Sequence, residues 1–518
     1  MSSHIADGVT AGSDSVVILD GRGLMVADVV RMAESTVKPV LGADGMKRVE
    51  TSWIAAREIA SWGRVYGRST GVGANRNESV PTEAAADHGL RLLRSHAGSI
   101  GEELPARQVR AMLAVRANQL LAGGAGLRPT VVTALCEALE TGAHPKVNEF
   151  GSVGTGDIAA LAQMGLALAG EHPWQGPGAA PDPQPLDNND ALALISSNAL
   201  TLGQSALALH ELRGLIAATQ VVAALSLMAT DGSYEAYALP VHEARRHAGS
   251  YAVAERMRLL LGAADRPTPP LGRIQDPYGF RCVPQIHGPA HDAADALEDV
   301  LTVEINAAAE NPLISADDMA AYHHGGFYIA QLALSLDHFR LAVTQVARLS
   351  TSRLSTLNEP AFTRLRPFLA DGAPAASGVM ILEYAAGAAL GDLRAFSAPA
   401  SLGHAVLSRG VEEQASFASL AARQTLRACE AYRLVVGCEL VAAVRALRQR
   451  DMRLDPELPV GRAFALADAV LDAELADRPL TDDVTAAAGL LDRFTELWLD
   501  LGSRNDTAFD ARGAVRRG

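Results

Sequence analysis

Residues 150–162 read Phe150-Gly-Ser-Val-Gly-Thr-Gly-Asp-Ile-Ala-Ala-Leu-Ala162. The glycine-rich turn Gly151–Asp157 precedes an apolar segment that is typical of a helix. Backbone N–H groups at the start of a helix can bind phosphate. This turn lacks the Lys-Ser/Thr pair of a P-loop and no convincing strand precedes it, so no nucleotide is predicted. Taken alone, the segment predicts a loop that leads into a helix, with Asp157 near the first turn, where the dipole favours an acidic side chain.

The composition around this loop is that of a large acidic protein. The chain has 518 residues, of which 48% are hydrophobic, enough for an extensive core. Lys+Arg total 45 and Asp+Glu total 59, a net charge of −14, which gives no general attraction to nucleic acid or anionic lipid. Four cysteines without a CxxC pair, and no basic and apolar leader, predict a cytoplasmic protein. We expect neither a nucleic-acid nor a membrane partner.

The N-terminal part of the chain contains several short elements. Helical periodicity is frequent and strand alternation is rare, but one short strand is predicted at Val16–Leu19. An amphipathic helix follows Pro105 and stops at Gly123-Gly124. Residues 171–190 contain five prolines and cannot form a regular helix.

The later part of the chain is predicted to be a bundle of long helices. Segments rich in Ala and Leu cover residues 191–230, 329–353, 377–396 and 413–448. Helices of this length usually pack side by side. The most apolar stretch, 205–230, is interrupted by charged residues and predicts a core helix, not a membrane span. We predict a mainly α fold with a loop-rich N-terminal domain, residues 1–200, and a helical bundle domain, residues 201–518.

Two further motifs carry candidate chemistry. The loop Val65-Tyr-Gly-Arg-Ser-Thr-Gly-Val-Gly73 contains Tyr66, and a loop tyrosine usually packs or hydrogen-bonds. The run Gln275-Asp-Pro-Tyr-Gly-Phe-Arg-Cys282 begins with a turn-forming Asp-Pro pair. Arg281 could present its planar guanidinium to a carboxylate, and a structural ion pair is the alternative.

The glycine-rich loop resembles the signature loop of the histidine and aromatic amino-acid ammonia-lyases. In that family it reads Gly-Ser-Val-Gly-Ala-Ser-Gly-Asp-Leu-Ala-Pro-Leu-Ala, and the Ala-Ser-Gly triad cyclises and loses water to become an electrophilic methylidene-imidazolone (MIO) group. This chain keeps both flanks but has only Thr155-Gly156 where the triad stands. Five motifs follow the family's order, and the similarity runs from about Val16 to Gln424.

The resemblance implies roles for the two motifs above. Tyr66 takes the position of the family's proposed base for the substrate's β-proton, which requires a pKa below the free value of ~10, supplied by nearby cations or donors. The family's counterpart of residues 275–282 is Gln-Asp-Pro-Tyr-Ser-Leu-Arg-Cys. By this match Arg281 clamps the α-carboxylate, Tyr278 assists around the leaving ammonia, and Gln275 lines the site.

Other positions match the pocket of the histidine-selective type. The pair Ser95-His96 resembles the residues that contact the substrate ring. Glu412 takes the position of a pocket glutamate near the imidazole or amine, although an acidic residue ahead of a helix is usually just favourable with its dipole. Phe327 takes the place of a pocket phenylalanine.

Two supporting positions depart from the family. The family's Leu-Asn-Gly-Thr appears as Ile195-Ser-Ser-Asn198, so the Asn that normally supports the MIO group is Ser196, unless Asn198 substitutes for it. Gly326 stands where the family has Asn in Gly-Gly-Asn-Phe.

These departures converge on the reactive group. Gly154, Thr155 and Gly156 are the residues that would have to cyclise, and dehydration of Thr155 would leave an ethylidene whose methyl group hinders attack. The missing residue also changes the strain that drives cyclisation. We therefore predict that the loop stays an ordinary peptide or cyclises inefficiently.

The resemblance also implies the fold and the assembly. Members are mostly α-helical proteins of the fumarase/aspartase-like kind and form homotetramers whose active sites are assembled from several subunits. No external cofactor is expected. His287 and His291 have i, i+4 spacing that suits a metal, but Pro289 between them and the lack of a clear third ligand predict no metal site.

Several functions fit these residues. The first is a carbon–nitrogen lyase that acts on an aromatic or imidazole amino acid, or a derivative of one, with an aminomutase as its close variant. The second is an elimination, addition or cyclisation that needs no MIO group and is driven by Tyr66 and Tyr278. The third is a non-catalytic relative, and the retention of Tyr66, Tyr278 and Arg281 speaks against it.

Overall fold

Helices form most of the computed structural model, which describes residues 15–268 and 273–509, apart from the side chains of Thr82, Ala86 and residues 502–509. The strands are short and pair in twos: β1 parallel to β2, and β3 with β5, β4 with β6 and β7 with β8 antiparallel. Their bounds are β1 Val16–Leu19, β2 Lys38–Leu41, β3 Ile100–Glu103, β4 His144–Pro145, β5 Asn148–Phe150, β6 Trp174–Gln175, β7 Leu313–Ser315 and β8 Ala320–Tyr322.

The α-helices divide into shorter ones in the first part of the chain and longer ones later. The first seven are α1 Val26–Ala33, α2 Ala43–Trp62, α3 Ala85–His96, α4 Ala106–Leu121, α5 Pro129–Thr141, α6 Ile158–Leu168 and α7 Ala191–Ile195. The others are α8 Ala199–Ala229, α9 Leu239–Glu243, α10 Ala248–Leu261, α11 Tyr278–Arg281, α12 Val283–Ile305, α13 Ala330–Asn358, α14 Pro360–Thr363, α15 Ile381–Phe396, α16 Ala418–Gln449, α17 Pro459–Asp468 and α18 Thr481–Phe509.

Helix α8 is the centre of the bundle. It is apolar on all sides, and a helix of that kind has to be enclosed by others. It packs against α4, α12, α16 and α18, while α16 also packs against α13 and α15. The segment Ala191–Ala229, which includes α7 and α8, is long and apolar enough to cross a membrane, but 83% of its most apolar window is buried inside the protein. It is the core helix that the sequence predicts.

The long segments are helical, with corrected bounds. The segment 191–230 is not one helix, because it breaks at Ser196–Asn198 between α7 and α8. The segment 413–448 becomes helical only at Ala418, where α16 begins. Both breaks lie in positions that the sequence assigns to the site.

The predictions for the N-terminal part are confirmed. The strand at Val16–Leu19 is β1, and the helix after Pro105 is α4. Residues 171–190 contain no helix. They contact the rest of the chain through the short strand β6 and through ion pairs of Glu171, Asp187 and Asp190. The division near residue 200 stays a prediction, since one continuous core of buried side chains includes residues from both parts.

Candidate active site

The loop Gly151–Asp157 lies between β5 and α6. A short strand does precede it, so the expectation that none does is wrong. This strand pairs with β3, and the register Ile100↔Phe150 brings the residues after α3 to the loop. A Cβ placed on Gly151 would lie 2.2 Å from Ser99 Oγ. Only glycine therefore fits this contact.

The loop rests on the N-terminal end of α16. The Ser416 hydroxyl donates to the Gly154 carbonyl at 2.7 Å, and the Phe417 N–H donates to the Val153 carbonyl at 2.8 Å. Gly154 has φ +88°, and a Cβ there would lie 2.2 Å from Ser416 Oγ. A left-handed conformation and the absence of space both require glycine at this position.

Asp157 connects the loop to the bundle. Its carboxylate accepts the Thr201 N–H at 2.7 Å and the Thr201 hydroxyl at 2.9 Å, and its own N–H donates to the Ser197 carbonyl at 2.7 Å. Burial raises the pKa of Asp157, and the bonds from Thr201 oppose that rise. The predicted position at the start of α6 is confirmed, since Asp157 is the N-cap residue of that helix, but its carboxylate forms its hydrogen bonds with the first turn of α8.

Tyr66 lies half-buried with its hydroxyl oxygen fixed. The Gly73 N–H donates to Tyr66 Oη at 2.8 Å. Burial raises the pKa of Tyr66 and the charge of Glu412 adds to the rise, while the Gly73 bond and Arg76 lower it. The required depression of the tyrosine pKa is therefore absent here. Gly73 provides the donor that favours phenolate, but burial outweighs it.

Glu412 lies in a hairpin close to Tyr66. A bridge pairs Leu407 with Glu412, and the Ala74 N–H donates to Ser408 Oγ at 3.0 Å. A Cβ on Gly73 would lie 3.8 Å from Glu412 Oε1. Glu412 therefore belongs to the wall around Tyr66 and does not act at the start of α16.

The break between α7 and α8 supplies two polar side chains. Asn198 Nδ2 donates to the Phe327 carbonyl at 2.8 Å, and Asn198 Oδ1 is buried without a hydrogen-bond partner in the described part of the chain. Ser196 Oγ accepts the Asn311 N–H at 3.0 Å. Asn198, rather than Ser196, thus holds the Phe327 segment and keeps an acceptor free.

Two adjacent histidines precede Phe327 and differ in role. The Gly326 N–H donates to His324 Nδ1 at 2.9 Å, so His324 Nε2 carries the proton and donates to the Glu310 carbonyl at 2.7 Å. His323 stands edge-on to the Tyr66 ring, with ring centroids 6.2 Å apart. His323 was not among the residues predicted from the sequence. Its position three residues before Gly326, in a motif already assigned to the pocket, could have identified it.

Ser95 and His96 form the last turn of α3. His96 Nδ1 lies 2.8 Å from the Leu92 carbonyl and must donate to it. Ser95 Oγ also donates to that carbonyl, at 2.9 Å. The two side chains therefore have a fixed orientation. His96 lies three residues before Ser99, which packs against Gly151 of the signature loop.

Gln275, Tyr278 and Arg281 lie elsewhere on the chain. Tyr278 is 70% exposed, and the Arg281 guanidinium carbon lies 4.9 Å from the centre of its ring. Arg281 Nε donates to the Asp276 carbonyl at 2.7 Å, which leaves the terminal nitrogens for a ligand. No hydrogen bond in residues 15–268 and 273–509 joins this group to Tyr66 or to Gly151–Asp157.

The two histidines of α12 pack against other side chains of the bundle. His291 stacks on Trp498 with centroids 5.8 Å apart, and its Nε2 lies 2.8 Å from Gln220 Nε2. His287 is fully buried. Within the described ranges, no group of three or more metal-ligating side chains occurs.

Comparison with known proteins decides the family. Residues 24–469 match the family model for aromatic amino acid lyases. The chain belongs to the aromatic amino acid lyase family. This lyase is 34% identical to histidine ammonia-lyase from Geobacillus kaustophilus over 493 residues, 92% of this chain and 97% of the relative.

Solved structures agree with this lyase over nearly its whole length. The ergothioneine-degrading ergothionase of Treponema denticola superposes with a TM-score of 0.87 at 26% identity, covering 93% of this chain and 99% of that one. Tyrosine aminomutase from Streptomyces globisporus gives 0.87 at 25% identity, with 94% and 98% coverage. The mainly α fumarase-like fold is confirmed, and the lyase is a carbon–nitrogen lyase.

Within one chain, the lyase brings part of the predicted site together. Tyr66 and Glu412 lie together around Gly73, Asn198 binds the Phe327 carbonyl, and Ser416 holds the signature loop. Gln275, Tyr278 and Arg281 stay apart from them. Ser416 was missed because nothing in its local sequence marks a serine that lies far along the chain from the loop.

Proposed function

We propose that this lyase eliminates an amine from an imidazole or aromatic amino acid derivative whose nitrogen is already quaternary, with the signature loop in its ordinary peptide form. The observation that carries the proposal is the loop itself. Thr155-Gly156 replaces three residues, and Ser196 and Gly326 stand where the family has the two supporting asparagines. The residues present do not fit an MIO group.

A quaternary nitrogen removes the need for an electrophile. A primary ammonium has N–H protons far more acidic than the β C–H, so a base removes the wrong proton first. A quaternary nitrogen has no N–H proton and leaves as a neutral tertiary amine. Ergothioneine, the compound that the Treponema denticola relative degrades, is a betaine of this kind built on an imidazole ring. This likeness supports the proposal.

In this reaction Tyr66 takes the β-proton. The C–H electron pair forms the C=C bond, and the C–N pair leaves with the amine. Tyr66 must be a phenolate before the step: the Gly73 N–H favours this form, and the cationic nitrogen of the bound substrate has to offset the rise in the Tyr66 pKa that burial and Glu412 cause. Glu412 faces the same side and attracts the cationic nitrogen. Arg281 binds the carboxylate, and its bidentate geometry fixes the substrate.

Assembly into a homotetramer completes the site in this proposal. Arg281 and Tyr278 lie outside the Tyr66 network, so a neighbouring subunit has to supply them. The exposed faces of α13 and α15 carry large apolar side chains: Leu334, Leu341, Ile381 and Tyr384 are exposed. Light scattering should give a tetramer, and a stable monomer at micromolar concentration would contradict this part of the proposal.

The substrate test compares matched pairs. Histidine, phenylalanine and tyrosine are assayed beside their Nα-trimethyl betaines, and the conjugated acrylate product is followed by ultraviolet absorbance. We expect turnover of one or more betaines, unchanged after borohydride treatment, and little or none of the free amino acids. A β-amino acid product would indicate an aminomutase. Rapid ammonia release from histidine that borohydride abolishes would refute the proposal.

A further inference from the structure

A buried ion pair lies beneath the Arg281 segment. Arg353 on α13 and Glu439 on α16 are both 0% exposed, with Nε–Oε1 at 2.6 Å and Nη2–Oε2 at 2.8 Å. Glu439 also accepts the hydroxyls of Ser226 at 2.7 Å and Ser350 at 2.5 Å. Burying two charges costs desolvation that an apolar pair of similar volume avoids. Stability therefore does not explain why the pair is here.

Arg353 also forms a hydrogen bond with α11. Arg353 Nη1 donates to the Gly279 carbonyl at 3.3 Å. A Cβ on Gly279 would lie 3.0 Å from Arg353 Cγ, so the backbone at Gly279 lies directly on the arginine stem. Arg353 thus contacts the residue next to Tyr278, two residues before Arg281.

A second side chain holds the next carbonyl. The Tyr237 hydroxyl donates to the Phe280 carbonyl at 2.9 Å. Tyr237 is 0% exposed, and its own carbonyl accepts Arg258 Nη1 at 2.7 Å. The two peptide carbonyls between Tyr278 and Arg281 are therefore both tied to buried side chains.

These ties matter because α11 is very short. It has four residues, and the last four carbonyls of any helix lack intrahelical partners. The Tyr278 carbonyl accepts the Cys282 N–H at 3.0 Å, where the chain enters α12, whereas the Gly279 and Phe280 carbonyls are bonded by the two buried side chains. Tyr278 and Arg281 project from its two ends, so the direction of both side chains follows from the anchors.

We propose that Arg353, paired with Glu439, and Tyr237 are positioning residues that orient α11 so that Arg281 meets the substrate carboxylate. None of the three contacts the reacting atoms in this account. The proposal rests on the carboxylate-binding role of Arg281 in the proposed function. It adds that a fixed clamp, and not the guanidinium alone, determines substrate binding.

The test uses a double variant that leaves no buried charge unpaired. Arg353→Met with Glu439→Gln removes both charges and keeps an amide oxygen for the two serine hydroxyls. The matched control is Asp337→Asn with Arg340→Met, a second buried pair on the same helix α13. Its bonds go to Ala400 and Ala421, and not to α11. Tyr237→Phe is a milder third variant.

The first readout is hydrogen exchange of residues 276–283 in the substrate-free protein, measured by mass spectrometry. We expect faster exchange there in the Arg353/Glu439 variant and in Tyr237→Phe, and unchanged exchange there in the control. This measurement does not depend on any reaction. Unchanged exchange at 276–283 in a folded Arg353/Glu439 variant would overturn the proposal.

The second readout is binding, with 3-(imidazol-4-yl)acrylate and 4-vinylimidazole as probes. The Arg353/Glu439 variant should bind the acrylate at least tenfold more weakly and the vinylimidazole equally well, and kcat/KM for a betaine should fall by about 10²-fold through misplacement of the clamp. Equal acrylate affinity in the variant refutes the positioning role. A parent protein that turns over no betaine refutes the proposed function alone, since the exchange and binding results still decide this inference.

Discussion

The segments Gly151–Asp157 and Gln275–Cys282 both resemble the ammonia-lyases, and they differ in what the chain has kept. The first lacks one residue at its reactive triad and is enclosed, with Gly154 packed against Ser416. The second keeps its Tyr and Arg, and Tyr278 is 70% exposed. The segment to which we assign carboxylate binding is preserved, while the segment that would activate the amine in the family is altered.

Under the proposed function, this difference places the change in chemistry at the leaving group. A reaction that still needs Tyr66 and Arg281 but not the triad must find its driving force in the substrate. A base alone supplies typically ~10²–10⁴-fold, far less than a difficult elimination requires. The substrate's own nitrogen must therefore leave easily.

The largest effect should come from the base. Tyr66→Phe removes the proton acceptor and should lower kcat on a betaine by ~10²–10⁴-fold, with KM nearly unchanged, because the ring still packs. Steady-state kinetics with Tyr322→Phe, an exposed tyrosine, as the control would measure it. A loss of less than about tenfold would show that another residue is the base. His323, which stands against the Tyr66 ring, would then be the candidate.

A smaller effect should come from the clamp. Arg281→Lys replaces a bidentate contact by a point charge and should weaken acrylate binding by about 1.5–3 kcal/mol. Calorimetric titration measures it, beside the exposed Arg348→Lys as control. If Arg281→Lys lowers the melting temperature while its folded fraction binds the acrylate normally, Arg281 is structural. The segment Gln275–Cys282 would then not be the carboxylate-binding segment.

A substitution in the enclosed loop Gly151–Asp157 should lower the stability of the protein. Gly154→Ala places a Cβ 2.2 Å from Ser416 Oγ at φ +88° and should cost about 2 kcal/mol in the free energy of unfolding. Gly325→Ala, where no atom lies within 4 Å of the added Cβ, is the control. Denaturant unfolding that gives equal losses for both would show that the loop has room to rearrange.

A pH-dependent effect should come from His291 on α12, the helix that continues from α11. Burial, with the charges of Arg213 and Arg256, lowers the pKa of His291 to about 4, against ~6.5 when unfolded. Its contribution to stability is complete above pH 6.5 and is lost as the pH falls towards 4, by up to about 1.4 kcal/mol per pH unit.

His291→Phe keeps the stacking on Trp498 and removes the titration. Unfolding curves between pH 7 and pH 4 should therefore be less steep in pH for this variant than for the parent. Parallel pH profiles would show that His291 stays neutral for another reason or is charged in both states.

Much of the fold could be predicted because local patterns carry it. Apolar periodicity gave the long helices, and the prolines of residues 171–190 ruled out a helix there. The break at Ser196–Asn198 was missed because its cause is tertiary: the Asp157 carboxylate caps Thr201 from a distant loop. The start of α16 was placed too early for a similar reason, since Leu407–Glu412 pairs as a hairpin.

The candidate site was predicted as a set of residues and not as an arrangement. The resemblance assigned Tyr66, Glu412 and Phe327 to the substrate pocket; Tyr66 and Glu412 do lie close together, and the pocket itself stays a prediction. The raised pKa of Tyr66 could not be predicted, because burial depends on the packed structure. Arg353 and Ser416 were missed because each acts on a backbone carbonyl far along the chain, and such bonds leave no sequence pattern.

The most direct test of the account is the mass of the signature loop. Denatured intact protein, and the tryptic fragment 147–213 that contains Thr155, are measured by mass spectrometry beside Thr155→Val. We predict the full peptide mass in each case, without loss of water. A fragment that lacks two waters in the parent and not in Thr155→Val would show a cyclised, dehydrated group and contradict the account.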